Sequence, residues 1–291
     1  MSKQTPKPGV YYGMPIDEYH GYGEAISKSG LDDMARSPAI YKALRSPGAP
    51  ARVEKASQLH GNLAHCAILE PAEFDKRYAV GPSVNRNTKE WKQFVESTML
   101  TPIQQEQRDT AFAQAASVMA LTDVYEGMTG EEFFAQGNPE VSAFWNDAET
   151  GELCRCRPDW VRPLDAKRVV IGDIKTVGDA TAGDFARQVA RMNYQTQDAL
   201  YTDGYTVASG NKVEDFLFIV VESTWPYAAA SYRLDDESRH EGYIQYRGLL
   251  DSYAMCKRTG VWPGIASSTQ TISLPAYAKT NSEEIEINYA S

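Results

Sequence analysis

The sequence predicts an α/β domain in which a central mixed β-sheet is flanked by helices and preceded by a helical N-terminal region. Two apolar runs and one hairpin carry that expectation. The first run leads into Asp173-Ile174-Lys175 and holds the β-branched residues Val169, Val170, Ile171 and Ile174. The second covers residues 216–221 and is apolar throughout. Short runs of this kind read as strands buried on both faces. Helical spacing over 181–208 separates them, so the two strands should be parallel and joined by a right-handed crossover. The hairpin adds antiparallel pairing, because 140–145 and 152–160 read as strands around the turn-rich residues 146–151.

Taken in order, residues 1–28 are polar, rich in Tyr and Gly, and irregular in pattern. Ser29 offers a helix N-cap with Asp32 three residues on, and Leu31, Met34 and Ala35 begin an apolar face. Arg36-Ser37-Pro38 interrupts this helix before Ile40, Tyr41 and Leu44 resume it. From Ala56, the spacing of Leu59, Leu63 and Ala67 gives another helix that stops at Pro71. Gly61 and His65 share one face of it, four residues apart. A glycine there lets the helix approach a strand closely, with His65 reaching past it. His60 is the competing histidine and is expected to be exposed.

Residues 95–135 are expected to contain a second helical stretch, starting at Thr101-Pro102. Glu140 opens the first hairpin strand. Alternation along the return strand puts Leu153, Arg155, Arg157 and Asp159 on one face and Cys154 and Cys156 on the other. In the helix over 181–208, Phe185, Val189 and Met192 form the core stripe, while Gln197 and Tyr201 share a different face. Asp235 caps a last long helix that carries Tyr243, Tyr246, Leu250 and Tyr253 on one side and ends at Gly260. The tail beyond Val261 is Ser/Thr-rich and ends acidic, with order expected only around Trp262.

Acidic residues number 39 against 29 basic ones, a net charge of −10. That argues against an extended basic face for nucleic acid, but not against a locally basic groove. Residues 76–92 have such a bias, with Lys76, Arg77, Arg86, Lys89 and Lys92 opposed by Glu90 and accompanied by Trp91. A solvated loop and helix start is the other reading of that stretch. The absence of an apolar leader or a membrane-length run leads to the expectation of a soluble, cytoplasmic protein with no membrane partner. Its four cysteines (Cys66, Cys154, Cys156 and Cys256) fit reduced thiols.

The chemistry concentrates in residues 154–176. Asp173 and Lys175 point to the same side of their strand, with Asp159 just upstream. Such a carboxylate–ammonium pair with a second carboxylate suits a divalent cation and a water. Hard oxygen ligands select magnesium, with manganese as a substitute. A structural Asp–Lys pair at a strand end gives the same local pattern. What sets this one apart is the company it keeps in order: His65, Glu140, Asp159, Asp173-x-Lys175 and Gln197-x-x-x-Tyr201.

That order resembles the RecB-type branch of the PD-(D/E)XK nucleases. The segments GNLAHCAILEP, EVSAFW, TGELCRCRPDWV, IGDIKT and YQTQDALY resemble the RecE-like nuclease domains within it. The resemblance implies a nuclease domain over 29–264, with 1–28 as an N-terminal arm and 265–291 as a C-terminal tail. It implies a magnesium-dependent exodeoxyribonuclease that resects double-stranded DNA ends 5′ to 3′ and leaves 3′ single strands for annealing. It also implies a ring-shaped homo-oligomer, a tetramer being favoured, and a single-strand annealing protein as partner. Asp159 and Asp173 are then expected to hold the metal, helped by His65 and the Ile174 carbonyl, with Glu140 at the edge. Lys175 is expected to orient or deprotonate the attacking water. Gln197 and Tyr201 are expected to contact DNA and support the site, and Arg86 to meet a DNA-end phosphate. The long N-terminal extension of the larger RecE-like proteins is not expected here.

Two other classes share parts of this pattern. An iron–sulfur nuclease of the CRISPR-adaptation type needs four clustered cysteines. A catalytically inactive DNA-binding protein on the same fold is opposed by the intact His65, Asp159, Asp173 and Lys175.

Overall fold

The structure is a computed structural model and describes residues 6–50 and 56–275. The acidic end of the expected tail lies outside the described residues. The chain opens with β1 (Gly9–Tyr11), α1 (Ile16–Gly21), α2 (Lys28–Arg36), α3 (Pro38–Leu44) and α4 (Ala56–Leu69). Next come α5 (Phe74–Arg77), β2 (Tyr78–Val80), α6 (Lys89–Ser97), β3 (Thr101–Ile103), α7 (Gln105–Met119) and α8 (Gly130–Ala135). The sheet-forming half contains β4 (Asn138–Pro139), β5 (Ser142–Asn146), β6 (Leu153–Cys156), β7 (Trp160–Pro163) and β8 (Arg168–Val177). It closes with α9 (Ala182–Met192), α10 (Tyr194–Ser209), β9 (Lys212–Glu222), β10 (Ala229–Tyr232) and α11 (Asp236–Thr259).

The central sheet has the order β10-β9-β8-β7-β4. Its β8–β9 pair is parallel and its other pairs are antiparallel, so the sheet is mixed as expected. A second sheet, β1-β5-β6, lies beside it, and β2 and β3 form a short parallel pair. Alternation along β8 divides the core between two layers. Val169, Ile171 and Val177 pack with α9, α10 and α11, whereas Val170 and Ile174 pack with α4, α7 and α8. Asp173 and Lys175 therefore lie on the α9–α10 side of the sheet. Among the described residues no helix is long and apolar enough to cross a membrane.

Several elements depart from the sequence expectations, each for a local reason. Residues 9–22 are not irregular as their pattern suggests: β1 pairs with β5, and Tyr11, Tyr19 and Tyr22 enclose Phe144. Helix α2 starts after Ser27, two residues before the expected cap at Ser29. Thr101-Pro102 starts a strand, because a residue before proline is pushed towards extended backbone. Helix α7 then starts behind a Gln104–Gln107 capping box. The single helix expected over 181–208 is two, broken where Asn193 takes a left-handed conformation with φ 52°. Met192, just before that break, is exposed rather than in the core stripe, and so is Tyr243 on α11. Downstream, Asp235 caps α11, and Trp262 stacks on Tyr41 with the rings 5.7 Å apart.

The return strand of the hairpin also divides. β6 pairs with β5 as far as Cys156, and the chain then crosses at Arg157-Pro158-Asp159 to become β7 against β8. Helix α10 braces this seam. A Cβ on Gly204 would stand 2.2 Å from the Trp145 ring of β5, closer than carbon atoms can approach. Gly204→Ala is therefore expected to destabilise the fold by about 1–3 kcal/mol despite the better helix propensity of alanine. Chemical unfolding of the variant checks this, and an unchanged or raised midpoint would mean that α10 sits off Trp145.

Candidate active site at the seam of two sheets

Strand β7 pairs with β8 only as far as Trp160 opposite Gly172. Beyond that point the β8 edge is open, and its backbone groups meet side chains instead. The Ile174 N–H donates to Asp159 Oδ2 at 2.8 Å, while the Ile174 carbonyl accepts from His65 Nε2 at 2.9 Å. His65 reaches this edge because α4 lies close to β8: Gly61 has Thr176 Oγ1 3.5 Å from where its Cβ would be. A carbonyl can only accept, so Nε2 carries the proton. Nδ1 then faces Asp159 Oδ2 at 3.6 Å. A proton or a cation between that nitrogen and the carboxylate makes the contact favourable.

Glu140 is brought in by the backbone rather than by a strand. It stands before β5 with φ 52°, and its N–H donates to the Asp159 carbonyl at 2.8 Å. Arg157 holds its carboxylate at 2.7 Å and also donates to Ser142 Oγ at 2.5 Å and to the Met14 carbonyl at 3.0 Å. One arginine thus ties Glu140 to both the second sheet and the N-terminal segment. The sequence places Arg157 on the Asp159 face without assigning it a role, and that shared face is its only signal.

Asp173 is almost wholly buried, at 1% exposure. Lys175 Nζ is in direct contact with its Oδ2, and Gln197 Nε2 donates to its Oδ1 at 2.5 Å. Oδ2 nevertheless has no partner in hydrogen-bond geometry. The Lys175 ammonium also lies 4.7 Å from the centre of the Tyr194 ring, a favourable cation–π distance. Burial works against that charge, but the Asp173 and Asp159 carboxylates outweigh it and hold Lys175 protonated above its usual range. Asp159 behaves oppositely. Burial, with Asp173 and Glu140 adding repulsion against the attraction of His65 and Lys175, pushes its carboxyl up to about 7.

Two features fit this cluster to a divalent cation: His65 Nδ1 facing Asp159 Oδ2, and the crowding of carboxylates that raises Asp159. Ligand atoms of His65, Glu140 and Asp159 lie within 4.8 Å of one another. This is the one such group among the described residues, and it contains no cysteine. Glu140 is thus a member of the group, while Asp173 is engaged by Lys175 and Gln197. A cleft of about 730 Å³ opens in front, walled by Met14 and Pro15, by Asn62 and His65, and by Glu140 and Arg157.

The other expected site residues lie further out. Gln197 is buried and its amide is committed to Asp173, so its geometry favours support of the site over contact with DNA. Tyr201, one turn on, packs against the core with its ring 6.1 Å from Phe216. Arg86 does not line the cleft; it bonds to Gln104 at 3.2 Å and to Gln107, beside Trp91. His60, expected to be exposed, is half-buried and accepts from Gln114 at 3.2 Å. All four cysteines are buried and free, with Cys154 and Cys156 on the inner side of β6.

An α/β fold whose carboxylates, lysine and histidine meet where two sheets part defines a domain of the PD-(D/E)XK class. Residues 27–275 match the family described as a PDDEXK-like domain of unknown function (DUF3799), and the chain belongs to that family. Its fold is similar to the crystal structure of a candidate exonuclease from Eubacterium rectale, at 14% identity and a TM-score of 0.57. That match covers 91% of this chain and 95% of the other. The structure of SSO0001 is matched over 40% of this chain and 50% of that one, at 12% identity and a TM-score of 0.26, too low to carry an argument. No curated protein matches the chain.

Proposed function

We propose that this protein is a magnesium-dependent exodeoxyribonuclease that resects linear double-stranded DNA from its 5′ ends and leaves 3′ single strands. The observation that carries the hydrolytic reading is the meeting of Asp159, Asp173 and Lys175 at the open edge of β8 with His65 and Glu140, and the last two line a cleft. The polarity, the ring-shaped oligomer and the annealing partner rest on the RecE-like motifs alone.

A bound magnesium or manganese ion would polarise the scissile phosphate and acidify a water. Asp159, His65 and Glu140 are the residues proposed to hold it, with Asp173 completing the set. Arg157 keeps Glu140 turned into the cluster, and Gln197 fixes the rotamer of Asp173. Lys175 presents a fixed positive charge where negative charge develops on the phosphate. The cleft walled by Met14 and Asn62 would bring the strand end to these groups, and Arg86 is kept as an outlying contact to phosphate.

The test is digestion of a linear duplex labelled separately at each 5′ and 3′ end, with and without magnesium. Early loss of the 5′ label with survival of a 3′ strand is expected. Loss of the 3′ label first would overturn the polarity, and no digestion in magnesium, or in manganese put in its place, would overturn the reading. His65→Ala is expected to weaken metal-dependent cleavage more than His60→Ala does, because only His65 faces Asp159. Equal losses in parallel assays would mean that His65 is a packing residue.

A further inference from the structure

The first turn of α10 lies between α11 and β8, and its side chains divide between them. Successive helical residues are about 100° apart, so residues 195 and 197 point to nearly opposite sides. Gln197 points at Asp173. On the other side, Gln195 Nε2 donates to Gln245 Oε1 at 2.9 Å, and Thr196 Oγ1 donates to the same oxygen at 3.1 Å. One turn before Gln245 on α11, Gly242 allows the backbones to touch. A Cβ there would stand 2.1 Å from the Gln195 carbonyl oxygen. The Asn193 break leaves this turn without a straight run back into α9. Contacts with α11 therefore brace this turn on the side away from Asp173.

We propose that Gln245 is a positioning residue of the catalytic site. Its side-chain oxygen, accepting from Gln195 and Thr196, holds the first turn of α10 so that Gln197 reaches Asp173. The assignment of Asp173 to catalysis rests on the nuclease reading above; the mechanical link does not.

The test compares Gln245→Leu with Gln245→Glu in the full chain. Leucine removes the acceptor at similar size, whereas glutamate keeps an acceptor oxygen at the same place. The direct readout is the side-chain amide of Gln197, followed by NMR with glutamine labelling and assigned by its loss in Gln197→Leu. In the wild type that amide is expected to be protected from exchange by Asp173. In Gln245→Leu the protection is expected to fall, and in Gln245→Glu to return. With manganese as the probe, Gln245→Leu is also expected to lower kcat and metal affinity about tenfold, as loss of an outer support commonly does, with KM for DNA little changed. Unchanged Gln197 protection in Gln245→Leu would overturn the proposal, whatever happens to activity. Equal loss in both variants, together with a lowered Tm, would also overturn it and make Gln245 a packing residue. Failure of the wild type to cleave DNA would overturn the nuclease reading and leave the amide comparison to decide the link.

Discussion

Lys175→Ala is expected to lower turnover by roughly a hundredfold or more, as losing one preorganised electrostatic stabiliser does. DNA affinity should change little, because one cation among several phosphate contacts adds little to binding. The structure sharpens this expectation, because Lys175 is also the counter-charge of a buried carboxylate. Removing one member of a buried ion pair typically costs about 3–5 kcal/mol. The metal-free variant should therefore melt earlier than the wild type. Magnesium can replace the lost ammonium as neighbour to Asp173, so adding it should recover much of the Tm without recovering turnover. Measuring Tm, DNA affinity and turnover with and without magnesium separates the two roles. Turnover that returns along with the Tm would make Lys175 a strand-end brace and nothing more.

Elements with strong local signals are legible in the sequence. Strands β8 and β9 announce themselves by unbroken apolar runs, and α11 by Asp235 at one end and Gly260 at the other. The strict two-residue period of β8 is enough to put Asp173 and Lys175 on one side of the strand. What escapes is set by single backbone conformations or by distant partners. Asn193 breaks the helix inside a stretch whose apolar spacing continues, so nothing in the pattern marks two helices. Strand β1 is only three residues long and takes its shape from pairing with β5. Pro158 interrupts what reads as one continuous strand, and the chain changes sheets there.

The same division holds at the site. Residue types and their order point to the acids, the lysine and His65. Their arrangement does not follow, because it depends on contacts across the chain: His65 meets the Ile174 carbonyl from 109 residues away. Glu140 reads as a strand residue, yet its left-handed backbone is what turns its carboxylate beside Asp159. Arg157 becomes recognisable as its partner only where the two sheets part around it.

Asp159→Asn sets stability against activity, and the sign can be worked out. In the folded protein the Asp159 carboxyl is pushed up to about 7, chiefly by burial, against about 3.9 in an unfolded chain. Between those values the folded state holds a proton that the unfolded state has released. The contribution of Asp159 to stability is therefore fully present below about pH 4, falls as pH rises, and is lost above about pH 7. Asparagine carries no charge to desolvate, and its oxygen can still accept from the Ile174 N–H. In EDTA at about pH 8 the variant should thus be more stable than the wild type, by about 4 kcal/mol at the upper bound. That difference should shrink as pH falls and vanish near about pH 4. Magnesium should reverse the ranking at the alkaline end, because only the wild type retains the full ligand set, and hydrolysis by the variant should be abolished. Urea unfolding across this pH range, with EDTA or magnesium, measures each part. A variant less stable than the wild type in alkaline EDTA would show that protein partners alone keep Asp159 ionised. Wild-type cleavage by it would remove Asp159 from the catalytic set.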